Sequence, residues 1–231
     1  MILDDEDILV QSVIDSTHYE MVDLGLSVKW ANKNVGASSP EDTGLYFQWG
    51  DTIGYTADQV GKDKIFDWDN YKFGTRSNLT KYNLTDRLTV LESIDDAATV
   101  HMGSQYRMPT YDEIRELIDN TTHTFIDVDG NEYDELYIRD NEPIESGKLK
   151  GVRFTSSNSN SIFIPAAGNC NGPLLGIIGM SGRLWSSDLG NRCDYFAKSL
   201  YFSYNGYVND SVYSRCAGQS VRGVEKIFNK L

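Results

Sequence analysis

The residue types that could carry acid–base, nucleophilic or metal chemistry are few in this 231-residue chain and lie far apart. The three histidines, His18, His101 and His123, stand in unrelated contexts. A neutral-pH proton shuttle or a metal site would need at least one of them beside further ligands. His101 falls at the end of a predicted helix, where a cation satisfies terminal carbonyls. Asp95 and Asp96 are adjacent, and adjacent helical side chains point about 100° apart. They therefore read as charges of a helix first turn rather than as a catalytic carboxylate pair. Cys170, Cys193 and Cys216 are an odd number at wide spacing, without CxxC, so neither a zinc knuckle nor a disulfide framework is expected. Asp127-Val128-Asp129-Gly130-Asn131 begins like a calcium loop but lacks its remaining ligands and closing Glu, and it reads as a hairpin turn. No GxSxG, P-loop, HExxH or GxGxxG occurs. Asn78-Leu79-Thr80 and Asn83-Leu84-Thr85 fit the glycosylation pattern. The expectation is a protein that is not an enzyme and that uses no cofactor and no metal.

The informative chemistry is of another kind. Between Asp188 and Gly218 an apolar skeleton (Leu189, Phe196, Ala197, Leu200, Phe202, Val208, Val212) alternates with Asn, Asp, Ser, Tyr, Arg, Cys and Gly. Tyr offers a large rigid contact area, and Ser and Asn offer adaptable hydrogen bonds, which is the composition of binding loops. The candidate binding residues are Asp188, Asn191, Arg192, Asp194, Tyr195, Ser199, Tyr201, Ser203, Tyr204, Asn205, Tyr207, Asn209, Asp210, Tyr213, Ser214 and Arg215. The five tyrosines among Tyr195, Tyr201, Tyr204, Tyr207 and Tyr213 would anchor a ligand, with Arg192 and Arg215 as charge-directed contacts. If Ala197, Leu200 and Phe202 point inward, Ser199, Tyr201 and Ser203 point out.

Two short helices and many short strands must position these residues. Ser93-Ile94-Asp95-Asp96 opens one helix, with Ser93 as the expected cap, Ile94, Ala97 and Ala98 as its stripe and Gly103 as its stop. Thr110-Tyr111-Asp112-Glu113 is a capping box ahead of Ile114, Leu117 and Ile118, with Asn120 at the end. Alternation from Tyr19 to Trp30 predicts one strand, and Gly44 to Trp49 another. Ser161–Ala166, Leu184–Ser186 and Ala197–Phe202 also read as strands, Phe125–Tyr133 as a hairpin, and Val221–Phe228 as the closing segment. Turns are expected at Asn205-Gly206 and Asn209-Asp210. Residues 50–84 look like a long loop region stapled by Trp68, Tyr71 and Phe73, while Trp30, Trp49 and Trp185 look like core. Residues 1–18 read as a flexible N-terminal segment and 19–231 as a single α+β domain.

The charge balance, 21 basic against 34 acidic residues for a net −13, argues against a nucleic-acid partner. The apolar run Pro173 to Met180 is far below the roughly 18 residues of a membrane helix, so no membrane insertion by this chain is expected. The acidic start (MILDDEDILV) lacks the basic region of an export signal.

Several motifs together resemble the FISUMP-type major paralogous domain family of gut Bacteroidetes. They are Val22-Asp23-Leu24-Gly25-Leu26-Ser27-Val28-Lys29-Trp30-Ala31, Asn34-Val35-Gly36-Ala37, Gly44-Leu45-Tyr46-Phe47-Gln48-Trp49-Gly50, Asp95-Asp96-Ala97-Ala98, Arg107-Met108-Pro109-Thr110, Ser161 to Gly168, Leu184-Trp185-Ser186-Ser187 and Ser220-Val221-Arg222. The resemblance spans roughly residues 19–224. It implies a C-type lectin-like fold, related to the formylglycine-generating-enzyme group, and similarity to variable proteins of diversity-generating retroelements. It implies a variable region at about 185–222, an unknown protein or glycan ligand, and a place outside the cell, on a cell surface or a phage particle. Randomising the adenines of Asn codons AAY yields Asn, Asp, Ser, Tyr, Cys, Arg and Gly among others, but never Lys, Glu, Gln, Trp or Met. Residues 188–218 hold one Lys, Lys198, and none of the other excluded types. Lys198 would then belong to the unvaried skeleton, and Cys193 and Cys216 would need no redox purpose. Glu135 to Lys150 departs from the family as an insertion, and the enzyme group's cysteine pair is not recognisable. An undiversified surface module and a formylglycine-generating-type enzyme stand as the alternatives.

Overall fold

Thr110 starts the helix Tyr111–Asp119 as its capping box requires: its hydroxyl accepts from the Glu113 amide, and Glu113 Oε2 accepts from the Thr110 amide at 2.7 Å. Ile114, Leu117 and Ile118 are buried beneath it and Asn120 caps its end. The computed structural model describes residues 18–60, 65–191 and 193–225, so the reading of 1–18 lies, apart from His18, outside the described residues. The earlier helix differs from expectation. Ser93–Asp95 is a single 3-10 turn, and the α-helix is Ala97–Met102. Its cap is Asp96, which accepts from the Thr99 amide at 2.8 Å, and Ile94 is 74% exposed rather than part of the stripe. An Asp caps as well as a Ser, and this one also accepts from the Met108 amide, which compensates its burial. Two further short helices are Ala57–Val60 and Glu135–Asn141, the latter inside the stretch read as an insertion.

The strands form three larger sheets. The first runs β1 (Met21–Val22), β2 (Lys29–Ala31), β17 (Val224–Glu225) and β6 (Tyr106–Arg107), with neighbours antiparallel. The stretch Tyr19 to Trp30 is thus two paired strands and not one. Gly25, at φ +69°, lies between them, and its amide bonds Asp23 Oδ1. The second sheet runs β10 (Ser161–Pro165), β9 (Leu149–Ser156), β7 (Thr121–Asp127) and β8 (Glu132–Asp134). The β7–β8 turn is the expected hairpin: Asp127 accepts from the Asp129 and Asn131 amides and the Asn131 side chain. The third runs β15 (Tyr207–Ser214), β14 (Phe196–Ser203), β13 (Ser181–Leu189), β16 (Gln219–Ser220) and β3 (Tyr46–Phe47), with β13 and β16 parallel. Gly206, at φ +79°, makes the β14–β15 turn, whereas Asn209-Asp210, expected as a turn, lies inside β15. Two small hairpins complete the set, β4 (Gly74–Thr75) with β5 (Asn78–Leu79) and β11 (Asn169–Asn171) with β12 (Leu174–Gly176).

Two large cores grip the third sheet from opposite faces. Leu184, Leu200, Phe202 and Val208 join Trp30, Phe125, Phe154 and the helix residues Ile114 and Ile118 in one. Trp185 and Ala197 join Trp49, Phe47, Tyr71, Phe73 and Tyr82 in the other. Trp185 Nε1 bonds the Phe47 carbonyl and Trp49 Nε1 the Ser186 carbonyl, both at 2.9 Å, so these two buried indoles are satisfied, whereas Trp30 Nε1 is buried without an acceptor. The second core shows how residues 65–84 are held: Tyr71, Phe73 and Tyr82 are among its contents and Trp68 packs against it, while Phe66 and Tyr55 join a third, smaller cluster with Tyr46. All three cysteines are free thiols. Among the described residues no helix is long and apolar enough to cross a membrane.

Candidate functional site

Strand β14 lies between β13 and β15, and its pairings fix which side chains share a face: Arg183 with Tyr201 and Asn209, Trp185 with Ser199 and Ser211. On one face Lys198, Leu200 and Phe202 point toward the helix Tyr111–Asp119, and on the other lie Ala197, Ser199, Tyr201 and Ser203. Ala197 therefore belongs to the opposite face from Leu200 and Phe202, and all three are fully buried because both faces are covered. The same fact overturns part of the expected outward set. Ser199 and Ser203 are buried; Ser199 Oγ finds no hydrogen-bond partner, while Ser203 Oγ bonds Asn205 Oδ1 at the turn.

Arg215 is also a correction. It is fully buried, not a surface contact, and its guanidinium spans Tyr71 Oη at 2.8 Å and the carbonyls of Tyr82, Asp194 and Lys81 at 2.7–3.0 Å. It lies 4.8 Å from the Trp49 ring centroid, so it locks the 71–82 loop to the end of β15. Arg192 lies outside the described residues.

Three expected tyrosines gather on the Ser199 face beyond the second core, Tyr201 and Tyr213 half-buried, the latter against that core, and Tyr207 exposed. The Tyr201 and Tyr207 rings are 5.8 Å apart and Tyr207 is 43% exposed. Arg183 sits between Tyr201 and Tyr213, its Cζ 4.2 and 4.6 Å from the two ring centroids. Asn209 Nδ2 reaches Tyr207 Oη at 3.3 Å. Tyr204 is apart from this group, half-buried against the first core, with its amide on the Met180 carbonyl. Burial pushes the Arg183 pKa down, the nearby tyrosine hydroxyls acting in the opposite sense.

Of the remaining candidates, Asp188, Asn191, Asp194, Tyr195 and Asp210 line a cleft beside the helix Tyr111–Asp119, and Asn205, Asn209 and Ser214 lie outside its lining. A cavity of about 560 Å³ is lined by Tyr111, Asn191, Cys193, Lys198, Asp210 and Val212 among others. A second, of about 810 Å³, lies between residues 83–89 and 188–195 and shares Asn191, Cys193 and Lys198 with the first. Asp188 and Tyr195 line the second; Asp188 Oδ2 accepts from the Tyr111 amide at 2.8 Å, and burial raises its pKa. Asp210 accepts from Arg115 at 2.8 Å and Tyr111 Oη at 3.3 Å, and Asn209 Oδ1 from Arg115 at 3.0 Å. Arg76 lies over the Tyr195 ring, and Ser214 Oγ contacts Cys216 Sγ at 3.2 Å.

Sequence reasoning missed two contributors. Arg183 was legible as a lone charge in the otherwise uncharged run Ser181 to Ser187, and Lys198 was assigned to the skeleton although its ammonium sits 3.8 Å from the Tyr111 ring centroid in the cleft wall. Among the described residues no group of three His, Cys, Asp or Glu could hold a metal ion. The chain matches no family model, no curated protein and no solved structure.

Proposed function

We propose that this chain is a ligand-binding, receptor- or adhesin-like protein of C-type lectin-like fold, without catalytic activity, whose C-terminal strands present a retroelement-diversified surface to a protein or glycan outside the cell, on a cell or phage surface. The observation that carries the reading is the Tyr201–Tyr207–Tyr213 group on strands whose neighbouring side chains are locked in two cores. Rigid aromatic anchors lose little conformational entropy on binding. The lectin-like part is supported by strands pinning long, largely irregular stretches, residues 50–60 and 65–84, beside the binding strands. Diversification is supported by the Asn-codon menu of residues 188–218 and by a half-exposed Cys193, with no disulfide partner, in the cleft wall.

An array of surface proteins and glycans, probed with the wild type and with Tyr201→Ala/Tyr207→Ala/Tyr213→Ala, tests it. The wild type should bind a small set of features and the triple variant should lose them while keeping its cooperative melt. Equal binding by both removes the proposed site.

A further inference from the structure

Five other arginines among the described residues are buried or half-buried, and each is bonded to a carboxylate or to several oxygens. Arg107, Arg115 and Arg153 each grip a carboxylate, at Glu113, Asp210 and Glu132. Arg215 is surrounded by oxygens, and Arg222 bonds Asn34 Oδ1 and the Phe163 carbonyl. Arg183 is the exception. Its one hydrogen bond among the described residues is from Nη1 to Ser211 Oγ at 3.3 Å, and its Nε is buried without an acceptor. No described carboxylate lies within ion-pair reach, in a chain with 34 of them. A guanidinium carries five N–H donors in a planar fork, so four remain unclaimed.

We infer that Arg183, held against the rings of Tyr201 and Tyr213, is the anion-recognition residue of this tyrosine group and takes a carboxylate of an acidic side chain on a protein partner. This deepens the binding reading above and rests on it. The carboxylate follows from the donor's chemistry: two rings within 4.6 Å of Cζ restrain the guanidinium, and its planar fork matches a carboxylate with two parallel bonds. A protein partner is favoured over a saccharide because a half-buried, Tyr-flanked Arg beside the exposed Tyr207 has the composition of an interface hot spot. The two cavities described above lie elsewhere, and neither is lined by Arg183, Tyr201 or Tyr213. With a net charge of −13 the chain repels an acidic partner at long range, so this contact confers specificity at short range rather than attraction from afar.

The test has two arms. In the first, isotope-labelled wild-type protein is titrated with a Glu/Gly hexapeptide, the same peptide with Gln for Glu, and trigalacturonate. The Arg183 Nε–Hε signal, assigned by its loss in Arg183→Lys, is followed throughout. A saturable shift with the Glu peptide and none with the Gln peptide is expected. A shift with trigalacturonate alone overturns the protein partner, and no saturable shift with any probe overturns the carboxylate site. In the second, Arg183→Gln is applied to the array. Proteins bound by the wild type should weaken roughly tenfold or more. Loss of binding by the tyrosine variant with full retention by Arg183→Gln overturns this inference and leaves the binding reading standing; retention by both removes the binding site itself. The wild-type titration requires no variant to fold.

Discussion

Within β14, neighbouring residues carry opposite duties. Phe202 is fully buried, with Gly182 directly across the ladder so close that an added Cβ would meet the Phe202 ring. Truncating such a ring removes its burial and leaves a cavity, at about 3–5 kcal/mol. Tyr207, across the turn and 43% exposed, gives up little when shortened, about 0.5 kcal/mol or less. Urea unfolding of Phe202→Ala and Tyr207→Ser should reproduce that order, and similar losses for both would place Tyr207 in the frame. Tyr201 and Tyr213 stand between these extremes, since each also supports the Arg183 guanidinium. Ser199 and Arg215 show why a residue's type misleads. Both belong to the set enriched at binding surfaces, yet one lies under a covered sheet face and the other is spent on four oxygens of the protein itself.

Elements were legible where a local rule sufficed. The Thr110 capping box, the Asp129-Gly130 hairpin, the Asn205-Gly206 turn and the strands around Phe163 and Leu200 all follow from short-range chemistry. What failed depended on distant partners. Period-two alternation assumes one solvated face, and β14 has a core on each side, so it could not reveal Ser199 and Ser203. The 3-10 turn at Ser93–Asp95 is likewise set from afar: Asp95 accepts from Lys72, Lys81 and Tyr82 at 2.6–2.8 Å, which pulls the turn inward. Burial alone would raise the Asp95 pKa, but those three donors outweigh it and hold the carboxyl below its ordinary value. Asp96, next along, has its pKa raised by burial despite its amide donors. The two therefore act with opposite sign. The Asp95 contribution is fully present above the unfolded value near about 3.9 and is lost as pH falls through the lower folded value. Asp95→Asn should be less stable than wild type by about 2 kcal/mol at pH 7, given the exposure of both lysines. The gap should close below about pH 4 in urea melts taken across pH. A gap that stays constant into strong acid would show that the carboxylate's charge is not what holds the turn.

Across the whole molecule the question is whether frame and recognition surface are separable, because the diversification proposed above requires the fold to survive changes at the proposed ligand-facing positions. The arrangement meets that need by strand order: β14 and β13 are central, packed on both faces, and β15 is the sheet edge, where side chains can change without disturbing a second strand pairing. The excluded residue types fit the same division. Lys198, which an AAY codon cannot reach, packs on the helix side against Tyr111, and Gln219, also unreachable, is fully buried on β16. Two display libraries measure the separation. One randomises Tyr201, Tyr207, Asn209 and Tyr213 with NNY codons; the other applies the same codons to Leu200, Phe202, Val208 and Arg215. Survival under graded protease reports folded fraction, since cleavage follows the population of the opened state. Most members of the first library should resist cleavage nearly as wild type does, with losses concentrated where Tyr201 and Tyr213 are both replaced and Arg183 is left unsupported. Few of the second should survive, because each of its positions is buried in the first core or, for Arg215, bonded to four protein oxygens. Equal survival of the two libraries would mean that the tyrosine-bearing positions are as much a part of the frame as the buried positions that alternate with them, and a chain built that way has no face free to vary.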